Sequence, residues 1–220
     1  MRADRLTIFD CDGVLVDSEP LAAEAYVRVY AKHGMDITAD VIAQGVGMKQ
    51  ADIIRKIEEI TGHLLTEDKE ADIWSETKLL FTEKLVSTGG VEEFIASLPT
   101  ARCVASSSSL ERIYHSLEVT GVEQFFPRES IFSSSMVKRG KPAPDLFLHA
   151  AAQMGFDPSV CTVIEDSPFG VQGGVAAGMK VIGYVGGGHT YEGHADVLRK
   201  AGAHAICHHY GDMHAVMKTL

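Results

Sequence analysis

A chain of 220 residues with 45% hydrophobic side chains is long enough for one ordinary core and a smaller satellite domain. Its formal net charge of -10 argues against wrapping nucleic acid or lying on an anionic membrane, both of which favour a basic face. No apolar run reaches the roughly 18–20 residues needed to span a bilayer, so neither nucleic acid nor membrane is expected as a partner. The start, Met1-Arg2-Ala3-Asp4-Arg5, leads straight into a strand with no signal-peptide core. Cys11, Cys103, Cys161 and Cys207 are widely spaced and form no CxxC pair, as free thiols of a reducing compartment do. The expectation is a soluble cytoplasmic protein, monomeric by default.

Leu6, Ile8 and Phe9 read as a short apolar strand that ends at Asp10 and Asp12, and Gly13 then allows a sharp turn. Two carboxylates one residue apart repel in a dry pocket unless a cation lies between them or one holds a proton. A calcium loop opening with Asp-x-Asp fails here, because its later ligand positions are Val14, Leu15 and Leu21. From Ser18 the pattern turns helical. Leu21, Ala25, Tyr26 and Val29, then Ile53, Ile54, Ile57 and Ile60, then Ile73, Trp74, Thr77, Leu80, Phe81 and Leu85 form three stripes. They predict an all-helical unit over 18–86, inserted into a core made of 1–17 and 87–220.

Beyond it helices and strands alternate. Helices are predicted at Val91–Leu98, Leu110–Val119, Pro144–Met154 and Phe169–Ala177; Ser108 and Glu111 stand in capping-box spacing before the second. Strands are predicted at Arg102–Ala105, Ile131–Ser133, Cys161–Ile164, Val181–Val185 and Ala205–Cys207. This alternation predicts an α/β fold, a Rossmann-like parallel sheet with helices on both faces.

Polar residues gather where the strands end. Asp10 and Asp12 end one, Ser106 another, and Glu165 and Asp166 a third, while Lys141 lies in the loop after the Ile131 strand. Ligands of an open parallel sheet bind beyond the carboxyl ends of its strands. One pocket could thus combine carboxylates, a hydroxyl and an ammonium, the inventory for a divalent cation and a phosphate. Singly, Ser108 reads as a helix cap, Lys141 as a solvated lysine and Glu165-Asp166-Ser167 as a cap for the next helix.

Together, Asp10-x-Asp12-Gly-Val-Leu-x-Asp17-Ser18, Ser106 after an apolar strand, Lys141-Pro-x-Pro-Asp145 and Glu165-Asp166-Ser167 resemble the four motifs of the haloacid dehalogenase-like hydrolases. The likeness is greatest to the helical-cap branch, with its sugar-phosphate phosphatases and beta-phosphoglucomutase. The resemblance implies that Asp10 is the nucleophile, forming an aspartyl-phosphate, and that Asp12 is the general acid and base. It implies that Asp12 keeps a proton more readily than Asp10, and that Ser106, Ser107 and Lys141 hold phosphate oxygens. It implies Mg2+ bound by Asp10, the Asp12 carbonyl and Asp166, with Glu165 alongside or through water.

Dehalogenases of this family lack the second Asp, so Asp12 argues against that reaction. A phosphonoacetaldehyde hydrolase needs a Schiff-base lysine in the cap, and neither Lys32 nor Lys49 stands in that context. A mutase of the beta-phosphoglucomutase type resembles this chain more closely. Alignment on Asp17-Ser18 puts Ala22 where the mutase has His, and alignment on Gly45-Val46-Gly47 puts Met48 where it has Arg. The resulting expectation is a phosphatase acting on a small phosphorylated sugar, sugar acid or polyol, with a phosphosugar mutase as the alternative and a silent binding domain third. Lys49 and Lys78 are the cap residues expected to face substrate. The ten histidines match no zinc spacing, and Gly186-Gly187-Gly188 lacks a dinucleotide register and reads as a turn at the pocket rim.

Overall fold

The computed structural model describes residues 4–45 and 48–220. Val46 and Gly47, which anchor the comparison with the mutase cap, and Met1 to Ala3 of the leader reading lie outside the described residues. Six parallel strands form one sheet: β1 (Leu6–Phe9), β2 (Ala101–Ser106), β3 (Ile131–Ser133), β4 (Cys161–Glu165), β5 (Lys180–Tyr184) and β6 (Ala205–Cys207), in the order β3-β2-β1-β4-β5-β6. β1 pairs with β2 on one side and β4 on the other, Ile8 standing beside both Cys103 and Val163. The order reverses at β1, and a crevice at such a switch point is where open sheets take ligands.

Successive β1 side chains point to opposite faces, and both faces are covered. Phe9, Val104, Ile164 and Ile182 pack with α5 (Val91–Ser97), α6 (Leu110–Thr120) and, near the carboxyl terminus, Tyr210 and Met213. Ile8, Cys103, Val163 and Val181 pack on the other face with α7 (Asp145–Met154), α8 (Pro168–Ala176) and α9 (His194–Ala201). A last helix, α10 (Tyr210–Met217), closes the chain.

Between β1 and α5 lie α1 (Glu19–Lys32), α2 (Ala39–Ala43), α3 (Gln50–Thr61) and α4 (Glu67–Lys84). Tyr26, Val29, Tyr30, Ile54, Ile57 and Ile73 build a separate apolar cluster among them. The far end of α4 belongs elsewhere, since Phe81 and Leu85 join the sheet-side cluster. The five-residue α2 is a helix the stripes did not predict; with Ile42 as its one buried side chain it shows no repeat to read. The predicted capping box is also corrected. Ser109 caps α6 by accepting from Arg112 N at 3.3 Å, which leaves Ser108 free for another partner. Four consecutive serines offer several cap registers, and tertiary contacts chose among them.

Candidate active site

Asp10 stands just beyond β1, its backbone N donating to Ile164 O at 3.0 Å, which ties it to β4 beside Glu165 and Asp166. Carboxylate oxygens of Asp10, Glu165 and Asp166, all buried, lie within 4.8 Å of one another. Lys141, with 1% of its side chain exposed, reaches this cluster from the loop before α7. Its Nζ donates to Asp10 Oδ1 at 2.7 Å and to Glu165 Oε1. Glu165 is further held by Ser167, whose backbone N and Oγ both donate to Oε2. Two glycines make room for this packing. A Cβ at Gly13, where φ is +71°, would fall 1.8 Å from Asp166 Oδ2, and one at Gly170 would fall 1.8 Å from Glu165 Oε1.

The residues fit a divalent cation. Three hard oxygen donors converge, and Asp166 Oδ2 is buried without a hydrogen bond. His189 Nε2 comes within 3.0 Å of that oxygen, an ionic approach without hydrogen-bond direction. Burial would lower the His189 imidazolium, but Asp166 outweighs it and carries the ring up to about 9. His194 Nε2 meets the Asp166 backbone oxygen at 2.8 Å. The sequence reading gave no role to either histidine. The glycines before His189 lie beside the first motif, where Gly188 N donates to Asp17 Oδ1 at 2.8 Å.

Asp12 has a different setting. Its Oδ1 accepts from Ser18 Oγ and Arg112 Nη2, both at 2.7 Å, and its Oδ2 accepts from Ser108 Oγ at 2.6 Å. Ser18 occupies the cap position of α1 yet makes no capping bond, having given its hydroxyl to Asp12. Burial would raise the Asp12 carboxyl, but Arg112 and the hydroxyls of Ser108 and Ser18 outweigh it and hold it below the usual carboxylate range. Asp10 is pushed well above that range, first by burial; Lys141 opposes the rise, and Glu165, Asp166 and Asp12 add to it. These shifts favour a proton on Asp10 over one on Asp12, whereas the expected preference supposes a cation on Asp10. Arg112 stabilises the charge on Asp12, whereas Asp10 shares one ammonium with Glu165 and also faces Asp166 and Asp12. A cation held by Asp10, Glu165 and Asp166 would favour the ionised Asp10.

Asp10, Asp12, Ser106, Ser107, Ser108 and Arg112 line a common cavity with Glu19, Ala22, Tyr26 and Met48 from the helical insertion. Its volume, about 40 Å³, is close to one water's share of liquid. Ser106 lies buried at the end of β2, where its Oγ accepts from Ser108 N at 3.1 Å. Ser133, the last residue of β3, and Ser134 after it brace the serine loop by donating to Ser108 O and Ser107 O. Lys49 lies against Gly140, in the loop that carries Lys141. Lys78, half-exposed, pairs with Glu111 at 3.4 Å and lies over the Trp74 ring.

Sequence reasoning missed Arg112, Glu19, Ser18, Ser108 and His189. Arg112 left one trace, as the third residue of α6: a cation in a first turn opposes the helix dipole, and such a local misfit often marks function. Glu19 carries a pH consequence. Burial first, then Asp12 and Asp166, raise its carboxyl from 4.5 to about 7. Between those values the folded chain keeps a proton that the unfolded chain has lost, so stability falls as pH rises through that window. In chelator, Glu19→Gln should match the wild type below pH 4.5 and exceed it by about 1–3 kcal/mol above pH 7. Urea unfolding across pH checks this, and parallel profiles for the two proteins would remove Glu19 from the balance.

The fold and the cluster at the sheet's carboxyl edge define a hydrolase class, and comparison with known proteins agrees. Residues 7–184 match the family described as haloacid dehalogenase-like hydrolase. The chain is 30% identical to 6-phosphogluconate phosphatase of Escherichia coli (strain K12) over 83% of each chain. It is similar in structure to a haloacid dehalogenase-like protein from Agrobacterium tumefaciens, with TM-score 0.85, 36% identity and 98% of both chains covered. A similar structure, a family hydrolase from Deinococcus radiodurans with bound phosphate and sodium, gives TM-score 0.79 at 28% identity, covering 100% of this chain and 97% of that one. The chain belongs to the haloacid dehalogenase-like hydrolase family. It is an enzyme, a phosphoric monoester hydrolase.

Proposed function

We propose that this chain is a magnesium-dependent phosphatase of a small phosphorylated sugar, sugar acid or polyol, working through an aspartyl-phosphate on Asp10. One observation carries the reading: the Asp10 carboxylate lies among Glu165, Asp166 and Lys141 while also lining one cavity with Asp12 and Ser106. An Asp10 oxygen attacks phosphorus and the P–O bond to the organic group breaks. Asp12 gives its proton to the leaving oxygen, then takes one from the water that attacks the acyl phosphate. Ser106, Ser107 and Lys141 hold the remaining phosphate oxygens, and Lys141 also balances the carboxylates. Magnesium, bound by Asp10, the Asp12 carbonyl and Asp166 with Glu165 alongside, would neutralise charge building on the phosphoryl group.

We infer that residues 18–86 act as a cap over a core of 1–17 and 87–220, and that the cap moves to admit substrate. A cavity of about 40 Å³ supports this, being far smaller than a phosphorylated sugar. Lys49, against the Lys141 loop, is better placed than Lys78 to meet substrate. Against a mutase stands Ala22, which lines the cavity beside Asp12 where a mutase has His. No helix among the described residues is long and apolar enough to cross a membrane. The 6-phosphogluconate phosphatase relative places sugar acid phosphates among the first esters to try. The test is release of inorganic phosphate from a panel of phosphorylated sugars, sugar acids and polyols, with magnesium or with chelator. Turnover restored by magnesium is expected. A folded protein that binds magnesium yet hydrolyses nothing, including an aryl phosphate, would overturn the reading.

A further inference from the structure

Arg112 has more to do than hold Asp12. Three donors fill three of the roughly four lone-pair sites on the Asp12 carboxylate, and the charged one, Arg112, most opposes the proton that Asp12 must gain before it can protonate a leaving group. Hydroxyls of Ser18 and Ser108 can turn to other acceptors, but Arg112 is charged and 20% exposed at its side chain. Leaving such a guanidinium without a counter-charge is strongly unfavourable, so its release calls for a replacement anion. None of the three donors comes from bulk solvent, and none leaves with the substrate.

The position of Arg112 indicates where that anion would come from. It lines the small cavity that holds Asp10 and Asp12, and also a second one of about 140 Å³ bounded by Gln50, Trp74 and Thr77 of the helical insertion. The two spaces share Tyr26, Met48, Ile53, Ser107, Ser108 and Arg112. A phosphate ester bound at Asp10 would therefore extend its organic part past the guanidinium. The group is held for such a contact, with its Cζ 5.1 Å from the centre of the Phe81 ring and its Nε buried without a hydrogen-bond partner. A guanidinium with a free donor presents the planar fork that a carboxylate fits with two parallel bonds. Glu19 lines the same space, and with its carboxyl raised to about 7 it can accept a neighbouring anion by keeping its proton.

We propose that Arg112 is the specificity-determining residue for a carboxylate on the organic part of the ester, so that the substrate is a phosphorylated sugar acid. The substrate carboxylate takes the guanidinium from Asp12, and the Asp12 carboxylate so released takes up a proton from solvent, which it then gives to the leaving oxygen. No bond to carbon or phosphorus changes in this exchange; one ion pair replaces another. It rests on the phosphatase reading and narrows its substrate class.

The test compares 6-phosphogluconate with glucitol 6-phosphate, which differ only in carboxylate against hydroxymethyl at the end remote from phosphate, and with an aryl phosphate. The wild type should favour the acid in kcat/KM by about 100-fold, the scale of one hydrogen bond to a charged group. Arg112→Gln should collapse that ratio to within about 5-fold, and Arg112→Lys, which keeps charge but not the fork, should give an intermediate ratio. Equal wild-type turnover of acid and polyol would overturn the proposal while leaving the phosphatase reading intact. Equal losses on all three esters in both variants would also overturn it, reducing Arg112 to a positioning residue for Asp12. Should Arg112→Gln fail to fold, the wild-type ratio and Arg112→Lys still decide. No turnover of any ester by the wild type would instead refute the phosphatase reading.

Discussion

Asp10→Asn is expected to lower kcat by about 10⁴-fold or more, the scale seen when a nucleophile is removed from an otherwise intact site. Asparagine nearly matches the shape of aspartate but offers no anionic oxygen to attack phosphorus. The fold should survive the change. Asp10 is tied to β4 through its backbone, and its carboxyl is already pushed up by burial among like charges. Removing one of those charges leaves Lys141 paired with Glu165, so thermal stability should hold or rise. Phosphate release from an aryl ester with saturating magnesium, beside a thermal melt, separates chemistry from folding. A folded variant keeping more than a hundredth of wild-type turnover would exclude Asp10 as the nucleophile.

The second large effect concerns Lys141. Its ammonium is buried between Asp10 and Glu165, and both carboxylates outweigh burial in holding it protonated far above neutral pH. Lys141→Ala strands two buried carboxylates beside Asp166 and should cost about 3–5 kcal/mol at neutral pH. The sign of its pH dependence follows from the charges left behind. Protons can neutralise those carboxylates, so the loss should shrink as pH falls. Millimolar magnesium should recover part of the stability, since a cation among the three carboxylates restores positive charge, but not the phosphate contact. Urea unfolding at pH 5 and pH 7.5, with chelator and with magnesium, measures both effects. A variant within about 1 kcal/mol of wild type in chelator at pH 7.5 would show that Lys141 does not balance the cluster.

Much of this molecule was readable as sequence because its information is local. Strand and helix periodicity marked the sheet within a residue or two of β1, β2, β4 and β5, and glycines ended helices at Gly62 and Gly155 in left-handed conformation. Carboxylates at strand ends could be grouped before any coordinates, because a parallel sheet sends every carboxyl end to one edge. Thus Asp10, Ser106, Lys141, Glu165 and Asp166 were nameable from their places along the chain.

What tertiary structure alone decided is how the charges pair. Arg112 meets Asp12 across 100 residues and Ser108 meets it across 96, separations over which no periodicity carries information. On α6 the apolar stripe of Ile113 and Leu117 explains the helix and leaves Arg112 looking like any solvated cation. Only the packing of that helix against α4 and β3 turns it inward. The proton preference of Asp10 and Asp12 was decided the same way. Identical side chains two positions apart acquire opposite shifts because one faces three carboxylates with a shared ammonium and the other a guanidinium with two hydroxyls. Sequence sets which groups are present at the sheet's edge; electrostatic environment depends on distances that exist only once the chain has packed.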